Sequence, residues 1–301
     1  MADLSQLTTE QRNPRTMGLD TFTPLEIAKA MNAEDARAVE AVGEVLPQVA
    51  TAIEWAAAAL AGGGRIVYLG AGTSGRLGVL DAVECPPTFG VSEDTVIGLI
   101  AGGKDAFVCA REGVEDDLEE GARDLGGIRL EPRDIVVGLA ASGRTPYVIG
   151  GLAYARKVGC KTVSIACTSH SSVGKVADLA IEPVTGPEVL TGSTRLKAGT
   201  AQKMILNMIS TGAMTRAGKV YQNLMVDVKQ TNAKLHARAQ RIVMQATDCT
   251  AEEAASALDA AEGNVKVALT SILLGIAPDA ARTALDAADG RVRDALTAAR
   301  A

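Results

Sequence analysis

One pattern recurs along the chain: a short apolar run, followed by a stretch of helical character. Runs of this length that are rich in Val, Ile and Leu are typical of strands buried on both faces of a parallel sheet. The alternation predicts a doubly wound α/β sheet of about five strands, flanked by helices, over residues 45–220. The predicted strands are Arg65–Gly70, Thr95–Ile100, Asp134–Ala140, Lys161–Cys167 and Asp178–Glu182, and the predicted helices cover 75–85, 104–122, 146–158 and 197–217.

The chain on either side of this region favours helices. Residues 1–44 form a predicted N-terminal helical segment, and helical character extends over Pro24–Leu60, with Asn32 as a candidate N-cap. Residues 221–301 form a predicted C-terminal helical domain, in which Thr250 caps a helix and Gly263 interrupts the pattern. This domain resembles the small three-helix bundles of the ubiquitin-associated type, and we interpret it as extra packing or dimer surface.

Composition limits the classes of function. A chain of 301 residues with 47% hydrophobic content can bury one large core, or one core and a small satellite domain. The net charge of −6 gives no indication of general nucleic-acid binding. An anionic ligand would therefore have to be captured by a local cluster of cations and hydrogen-bond donors.

Cysteine, histidine and hydropathy patterns predict a cytoplasmic protein without a catalytic metal site. The five cysteines include no CxxC pair, and the first fifteen residues lack the apolar core of a signal peptide. No apolar run reaches the roughly 18 residues of a membrane span. The two histidines stand in no HExxH or paired-ligand spacing. Carboxylates, hydroxyls and cations are left to carry any chemistry.

The segment 186–203, GPEVLTGSTRLKAGTAQK, concentrates hydroxyls and cations in a loop that enters a helix. The first turn of a helix presents unpaired N–H groups, which favour an anion. This segment therefore predicts a site for a phosphorylated ligand. Its candidate donors and cations are Thr191, Ser193, Thr194, Thr200, Arg195 and Lys197.

Two further loops join predicted strands to helices. GAGTSGR at 70–76 spells GxGxxG, but the second predicted strand ends without the acidic residue that a dinucleotide site requires, and no GK[ST] follows. ASGRTPY at 141–147 offers Ser142, Gly143 and Thr145 to a phosphate, although such a loop taken singly is more often structural, a cap and a tight turn. Because the carboxyl ends of parallel strands converge on one crevice, the loops are expected to approach one ligand.

An ordered series of motifs covers nearly the whole chain. It begins with TEQRN at 9–13 and continues with GAGTSGR, DAVECPPTFG, IAGG, REGVED, ASGRTPY, GPEVLTGSTRLKAGTAQK and NLMVDVKQTNAKL. The series resembles the N-acetylmuramic acid 6-phosphate etherases of bacteria, which belong to the sugar isomerase (SIS) domain group and are related to the glucokinase regulatory protein. The most specific motifs are ECPPT and the segment 186–203.

This resemblance implies a reaction and a set of residues. The family eliminates D-lactate from C3 of the ring-opened sugar and then adds water back, which requires an acid and a base but no cofactor. Glu84 would protonate the leaving oxygen, and Glu115 would handle the C2 proton and later activate water; their allocation stays open. The implied substrate-binding residues are Ser142, Gly143, Thr145, Ser193 and Thr194 for phosphate, Thr73 and Ser74 for the sugar, Arg195 and Lys197 for phosphate or the lactyl carboxylate, and Glu188 and Lys234 as further sugar contacts.

Local sequence alone does not select these glutamates. Glu84 stands beside Cys85, Pro86 and Pro87, a mostly apolar setting expected to favour the protonated acid, although a solvated helix end is the simpler interpretation. Glu115 belongs to an acidic helical stripe that usually indicates a solvated face. The members of the stripe are Glu112, Glu115, Asp116 and Glu119.

Helix geometry favours a site that a second subunit completes, and the resemblance to SIS-domain proteins implies a homodimer with sites near the subunit interface. If the helix after GAGTSGR is continuous, Glu84 lies ten residues beyond Ser74, or about 15 Å along the axis. One subunit would then leave its own site incomplete.

Two other functions stay open: an aldose–ketose isomerase for a sugar phosphate, and a non-enzymatic sugar-phosphate sensor.

Overall fold

A computed structural model describes residues 8–109, 111, 113–228 and 233–299; for 233 and 234 it describes the backbone alone. The chain divides into two compact units. Unit 1 holds the described parts of Met1–Val83 and Glu93–Thr211, and unit 2 holds Glu84–Ser92 and the described parts of Gly212–Ala301. The domain limits predicted at residues 44 and 220 stay a prediction.

Unit 1 contains a five-stranded parallel sheet in the order β2-β1-β3-β4-β5. All five predicted strands are confirmed, each starting or ending within a few residues of its prediction. The central strands β1 and β3 are buried at every residue, which explains their uninterrupted apolar sequences. The strands are β1 (Ile66–Gly70), β2 (Val96–Ile100), β3 (Ile135–Leu139), β4 (Lys161–Ile165) and β5 (Leu179–Ile181).

Helices connect and precede these strands. The predicted helices after β1, β3 and β5 are confirmed, and α6 begins at Pro146, where the missing N–H of proline costs no hydrogen bond. The helices that lie wholly or partly in unit 1 are α1 (Pro24–Gly43), α2 (Leu46–Ala61), α3 (Gly72–Phe89), α4 (Asp105–Val108), α5 (Glu120–Gly127), α6 (Pro146–Val158), α7 (Ser172–Val176) and α8 (Lys197–Arg216).

Two predicted helical features are wrong. The continuous helix over 104–122 is replaced by α4, a 3-10 turn at Val114–Asp116 and the start of α5. Gly113, in the left-handed region at φ 80°, precedes that turn and breaks helical continuity. Asn32 is not an N-cap, because α1 begins eight residues earlier at Pro24, where Thr23 and Glu26 form a reciprocal capping box.

The described part of unit 2 consists of helices apart from the small antiparallel hairpin of β6 (Val220–Tyr221) and β7 (Leu224–Met225). Residues 233–299 form helices joined by turns and contain no strand, as predicted, and the Thr250 capping box and the break at Gly263 are confirmed. Five helices are present, and α11 packs against the other four. They are α9 (Ala233–Thr247), α10 (Ala251–Ala260), α11 (Val265–Leu274), α12 (Pro278–Ala287) and α13 (Val292–Ala298). The likeness to a ubiquitin-associated domain stays a prediction.

Within the described ranges, no helix has both the length and the apolar character needed to cross a bilayer.

Candidate functional site

The three hydroxyl-rich loops lie in one region of unit 1. The first two follow β1 and β3, which are neighbours in the sheet. The third enters α8, whose first turn lies against the start of α3: a Cβ on Gly199 would be 3.6 Å from Cγ2 of Thr73. Gln202 of α8 accepts a 2.7 Å hydrogen bond from Ser74 and donates one of 3.3 Å to the carbonyl of Ile165, at the end of β4. The first loop and the start of α8 therefore lie close together, and the approach of all three loops to one ligand stays a prediction.

Gly143 is required by both backbone angle and space. Its φ is 74°, a left-handed conformation that side chains disfavour. A Cβ added here would lie 2.6 Å from the Cβ of Ser171 and 2.9 Å from Cγ2 of Thr168. The turn is closed by its N–H, which donates to Ala140, and by its carbonyl, which accepts from Val173. Glycine thus lets the loop after β3 pack tightly against the loop after β4.

The predicted phosphate ligands carry half-buried hydroxyl groups. Thr145 is the N-cap residue of α6, yet its side chain makes no capping hydrogen bond. Its hydroxyl therefore remains available to a ligand at the N-terminus of α6. The other half-buried hydroxyls of the three loops are those of Ser142, Ser193, Thr194 and Thr73.

Ser74 differs from these residues because it is buried. Its hydroxyl hydrogen is donated to Gln202, which ties α3 to α8. Its oxygen can still accept a hydrogen bond, so its contact with a sugar stays a prediction.

Lys197 has a different environment from the predicted one. Its side chain is 1% exposed, and its ammonium lies 2.5 Å from Oε2 of Glu34 and 2.6 Å from the carbonyl oxygen of Pro187. Burial disfavours the charge on Glu34, but hydrogen bonds from Arg15 and Lys197 outweigh this and lower the pKa of its carboxyl to about 2. The interpretation of Lys197 as a cation facing the ligand is corrected: the ammonium is held in an internal ion pair. Arg195, by contrast, is exposed.

Glu188 supports the start of α8 from inside, and its predicted contact with the sugar stays a prediction. It is fully buried, and its carboxylate accepts hydrogen bonds from the backbone N–H groups of Lys197 and Ala198. It thereby satisfies two of the unpaired donors at the start of α8. Burial raises the pKa of Glu188 above the ordinary carboxyl value, and the two N–H groups oppose that shift.

Glu115 is exposed on the 3-10 turn at Val114–Asp116. The predicted acidic helical stripe is absent here, because this turn is not continuous with α4 or α5; Glu112 lies outside the described residues. The preceding α4 is held by Arg76, whose guanidinium donates to the carbonyls of Ala106 at 2.7 Å and Phe107 at 2.9 Å. Arg76, the last residue of GAGTSGR, therefore supports the segment before Glu115, a contact that the motif did not predict.

Glu84 belongs to unit 2 and lies on α3, which is continuous from Gly72 to Phe89. The side chain of Glu84 is exposed, whereas its neighbour Cys85 is buried. The prediction that Glu84 has an apolar environment is therefore wrong within a single chain. Successive helical residues point in different directions, so the burial of Cys85 does not bury Glu84. Lys234 is outside the residues whose side chains are described.

The N-terminal residues form one wall of a cleft that the sequence did not indicate. The cleft has a volume of about 410 Å³ and is lined by residues between Arg12 and Asp20 and by Val189–Thr191 of the third loop. Asn13 donates to the carbonyl of Pro187, and Thr16 donates to that of Val189. The only sequence signal for this association was TEQRN, a motif of the resemblance far from the loop in the chain.

Curated relatives decide the family. The chain is 59% identical over 279 residues to the N-acetylmuramic acid 6-phosphate etherase of Cronobacter sakazakii, covering 93% of this chain and 94% of the relative. It is 57% identical over 280 residues to that of Pectobacterium atrosepticum, covering 93% and 92%. The chain belongs to the N-acetylmuramic acid 6-phosphate etherase family. The resemblance drawn from the motifs is thus confirmed.

Domain models place this etherase family member in the SIS group. Residues 48–156 match the glucokinase regulatory protein N-terminal SIS domain, and residues 120–211 match the SIS domain. Among solved structures, one described as a phosphosugar isomerase involved in capsule formation, from Bacteroides fragilis, aligns with a TM-score of 0.50 at 17% identity. The alignment covers 65% of this chain and 94% of that one. At this identity the likeness supports the SIS fold alone, and the predicted fold class is confirmed.

Proposed function

We propose that this chain cleaves the D-lactyl ether of N-acetylmuramic acid 6-phosphate, giving N-acetylglucosamine 6-phosphate and D-lactate. The observation that carries the proposal is the 59% identity to an etherase of that name along almost the whole of both chains. The cluster of hydroxyl-bearing loops in unit 1 supports it, since these loops suit the phosphate of such a substrate.

The proposed chemistry is an elimination followed by an addition. The ring-opened sugar has an aldehyde at C1, which acidifies the hydrogen on C2. A base removes this proton while an acid protonates the C3 ether oxygen, so that lactate leaves and an unsaturated aldehyde remains. Water then adds at C3 and a proton returns to C2, which restores the hydroxyl of N-acetylglucosamine 6-phosphate.

We assign the two proton-transfer roles to the family's glutamates. Glu84 is the proposed acid for the departing lactyl oxygen, and Glu115 is the proposed base for C2 and later for water. Their exposure in the chain supports this, because both carboxyls are accessible to a ligand or to a second subunit. No metal or other cofactor enters this scheme.

The substrate is held at its other end by the three loops. Ser142, Thr145, Ser193 and Thr194 are the proposed phosphate ligands, through their hydroxyl groups beside the starts of α6 and α8. Gly143, whose own N–H donates to Ala140, is proposed to shape the loop around the phosphate. Thr73 and Ser74 remain proposed sugar contacts, and Arg195 supplies charge to the phosphate or the lactyl carboxylate. Glu188 and Lys197 support the loop from inside.

A homodimer is part of the proposal. The continuity of α3 supports the premise that Glu84 lies about 15 Å along the axis from Ser74 of the same chain. A second copy would then supply part of each site. The five cysteines, odd in number and without a CxxC pair, support a cytoplasmic location.

The reaction is tested by incubating the protein with N-acetylmuramic acid 6-phosphate in deuterated water. We expect stoichiometric D-lactate, measured enzymatically, and N-acetylglucosamine 6-phosphate with deuterium at C2, measured by NMR. C2 deuteration with a ketose product and no lactate would instead indicate an isomerase. Binding with neither change would indicate a sensor, and both results contradict the proposal.

Removing loop hydroxyls should weaken binding. We expect Ser193→Ala or Thr194→Val to raise the KM about 10- to 100-fold with kcat little changed, because a hydrogen bond to a charged group contributes about 1.5–3 kcal/mol. Steady-state lactate release measures both constants. Thr51→Ala is the control, since its hydroxyl donates to Pro47 within α2. Equal KM values in the loop variants and the control would remove these hydroxyls from the site.

A further inference from the structure

The segment that enters α8 is closed across its base by two side chains. The ammonium of Lys197 donates to the carbonyl of Pro187, ten residues earlier, at 2.6 Å. The carboxylate of Glu188 accepts from the N–H groups of Lys197 at 3.2 Å and Ala198 at 3.0 Å. Ser193 and Thr194 lie within the loop that these bridges close. The position of the hydroxyls therefore depends on the position of Lys197.

Lys197 in turn depends on a residue far away in the chain. Its ammonium lies 2.5 Å from the Glu34 carboxylate, which is 163 residues earlier, on α1. The two side chains are 1% and 4% exposed, so water replaces neither partner. A buried ammonium that loses its carboxylate is strongly destabilised in place. Glu34 thus determines whether Lys197 can stay between α1 and Pro187.

Glu34 has a second cation, Arg15, whose described side-chain hydrogen bond goes to Glu34 and not to the loop. Arg15 donates to the other carboxylate oxygen, Oε1, at 2.6 Å, and its side chain is 46% exposed. Arg37 lies farther away, at 3.8 Å. One oxygen of the Glu34 carboxylate therefore binds Lys197 beside the loop, and the other binds the partly exposed Arg15. The two interactions can be altered separately.

We infer that Glu34 is a positioning residue for the phosphate end of the substrate: through Lys197 it holds the 187–197 loop in the shape that presents Ser193 and Thr194. The inference rests on the proposed phosphate site and adds to it a residue of α1 that touches no ligand. It predicts that the two sides of one carboxylate differ in their effect on binding.

The test compares Glu34→Gln with Arg15→Gln. We expect Glu34→Gln to raise the Kd for N-acetylglucosamine 6-phosphate, measured by calorimetry, about tenfold, which corresponds to about 1.4 kcal/mol. The KM for the lactyl substrate should rise in parallel while kcat changes little, because the proton-transfer groups lie elsewhere. Arg15→Gln should leave the Kd unchanged, although it also removes a partner of Glu34. All measurements are made at a temperature at which thermal unfolding shows each variant to be folded.

A double variant shows whether Glu34 acts through Lys197. Glu34→Gln in a Lys197→Met background should cause no further rise in Kd, because the link is already broken. If Glu34→Gln does not fold, Glu34→Asp retains the charge but shortens its reach, and an intermediate rise in Kd is expected.

Three outcomes would overturn the inference: an unchanged Kd in the Glu34 variant, equal increases in the Glu34 and Arg15 variants, or additive effects in the double variant. A wild-type protein that binds the sugar phosphate but releases no lactate would contradict the etherase proposal alone, since the Kd comparison stands. A wild-type protein that does not bind it would contradict both.

Discussion

Glu84→Gln is expected to lower kcat for lactate release by about 10²- to 10⁴-fold, because an amide cannot donate the proton that the departing lactyl oxygen needs. Binding of N-acetylglucosamine 6-phosphate should persist, since the proposed phosphate ligands lie in the loops after β3 and before α8. Glu115→Gln is expected to cause a loss of the same order, and it should also abolish deuterium uptake at C2.

Hydrogen exchange at C2 distinguishes the acid role from the base role of the two glutamates. In Glu84→Gln, C2 exchange without lactate release would identify Glu84 as the acid, whereas loss of exchange would reverse the allocation. Glu119→Gln is the control for added or lost charge, because Glu119 is an exposed carboxylate near Glu115 and its nearest cation is Arg123 at 3.7 Å. If Glu84→Gln or Glu115→Gln turns over as fast as the wild type, the substituted glutamate takes no part in the chemistry.

Mixed dimers extend this test to the second subunit. In a heterodimer of Glu84→Ala and Glu115→Ala chains, a site built from two subunits leaves one intact site, and we expect about half of the wild-type activity. No recovered activity in verified heterodimers would place both glutamates of a working site in the same chain.

Gly143→Ala is expected to reduce the free energy of unfolding by about 2–5 kcal/mol. About 1–2 kcal/mol of this comes from the left-handed backbone, and about 1–3 kcal/mol comes from a Cβ placed 2.6 Å from the Cβ of Ser171. Urea denaturation measures the loss. Sugar-phosphate affinity should fall as well, because Ser142 and Thr145 flank the displaced turn.

Gly103 provides a matched comparison for this effect. Its φ of 75° is close to that of Gly143, but a Cβ there would meet nothing within 4 Å. Gly103→Ala should therefore show only the backbone cost, about 1–2 kcal/mol. If the two variants are destabilised equally, the contact with Ser171 does not contribute.

Local patterns predicted the sheet well. The strands β1 and β3 are buried along their whole length, so each appears as a continuous apolar run, and Pro146 marks the start of α6 within one residue. The same approach failed over 104–122, where the acidic residues have helical spacing but Gly113, with a φ of 80°, interrupts the helix. It also wrongly placed an N-cap at Asn32. The reciprocal capping box at Thr23 is a stronger signal than one polar residue.

The sequence by itself determined the parallel sheet, the hydroxyl-rich loops and the family, because buried strands and ordered motifs are local and can be read one segment at a time. Only the tertiary structure decided what each charged residue of the third loop does. Lys197 and Arg195 are two residues apart and equally cationic, yet one is held by Glu34 and the other is exposed. Their difference depends on a partner 163 residues away, and the energy of a buried charge is set by such partners and not by its neighbours in the chain.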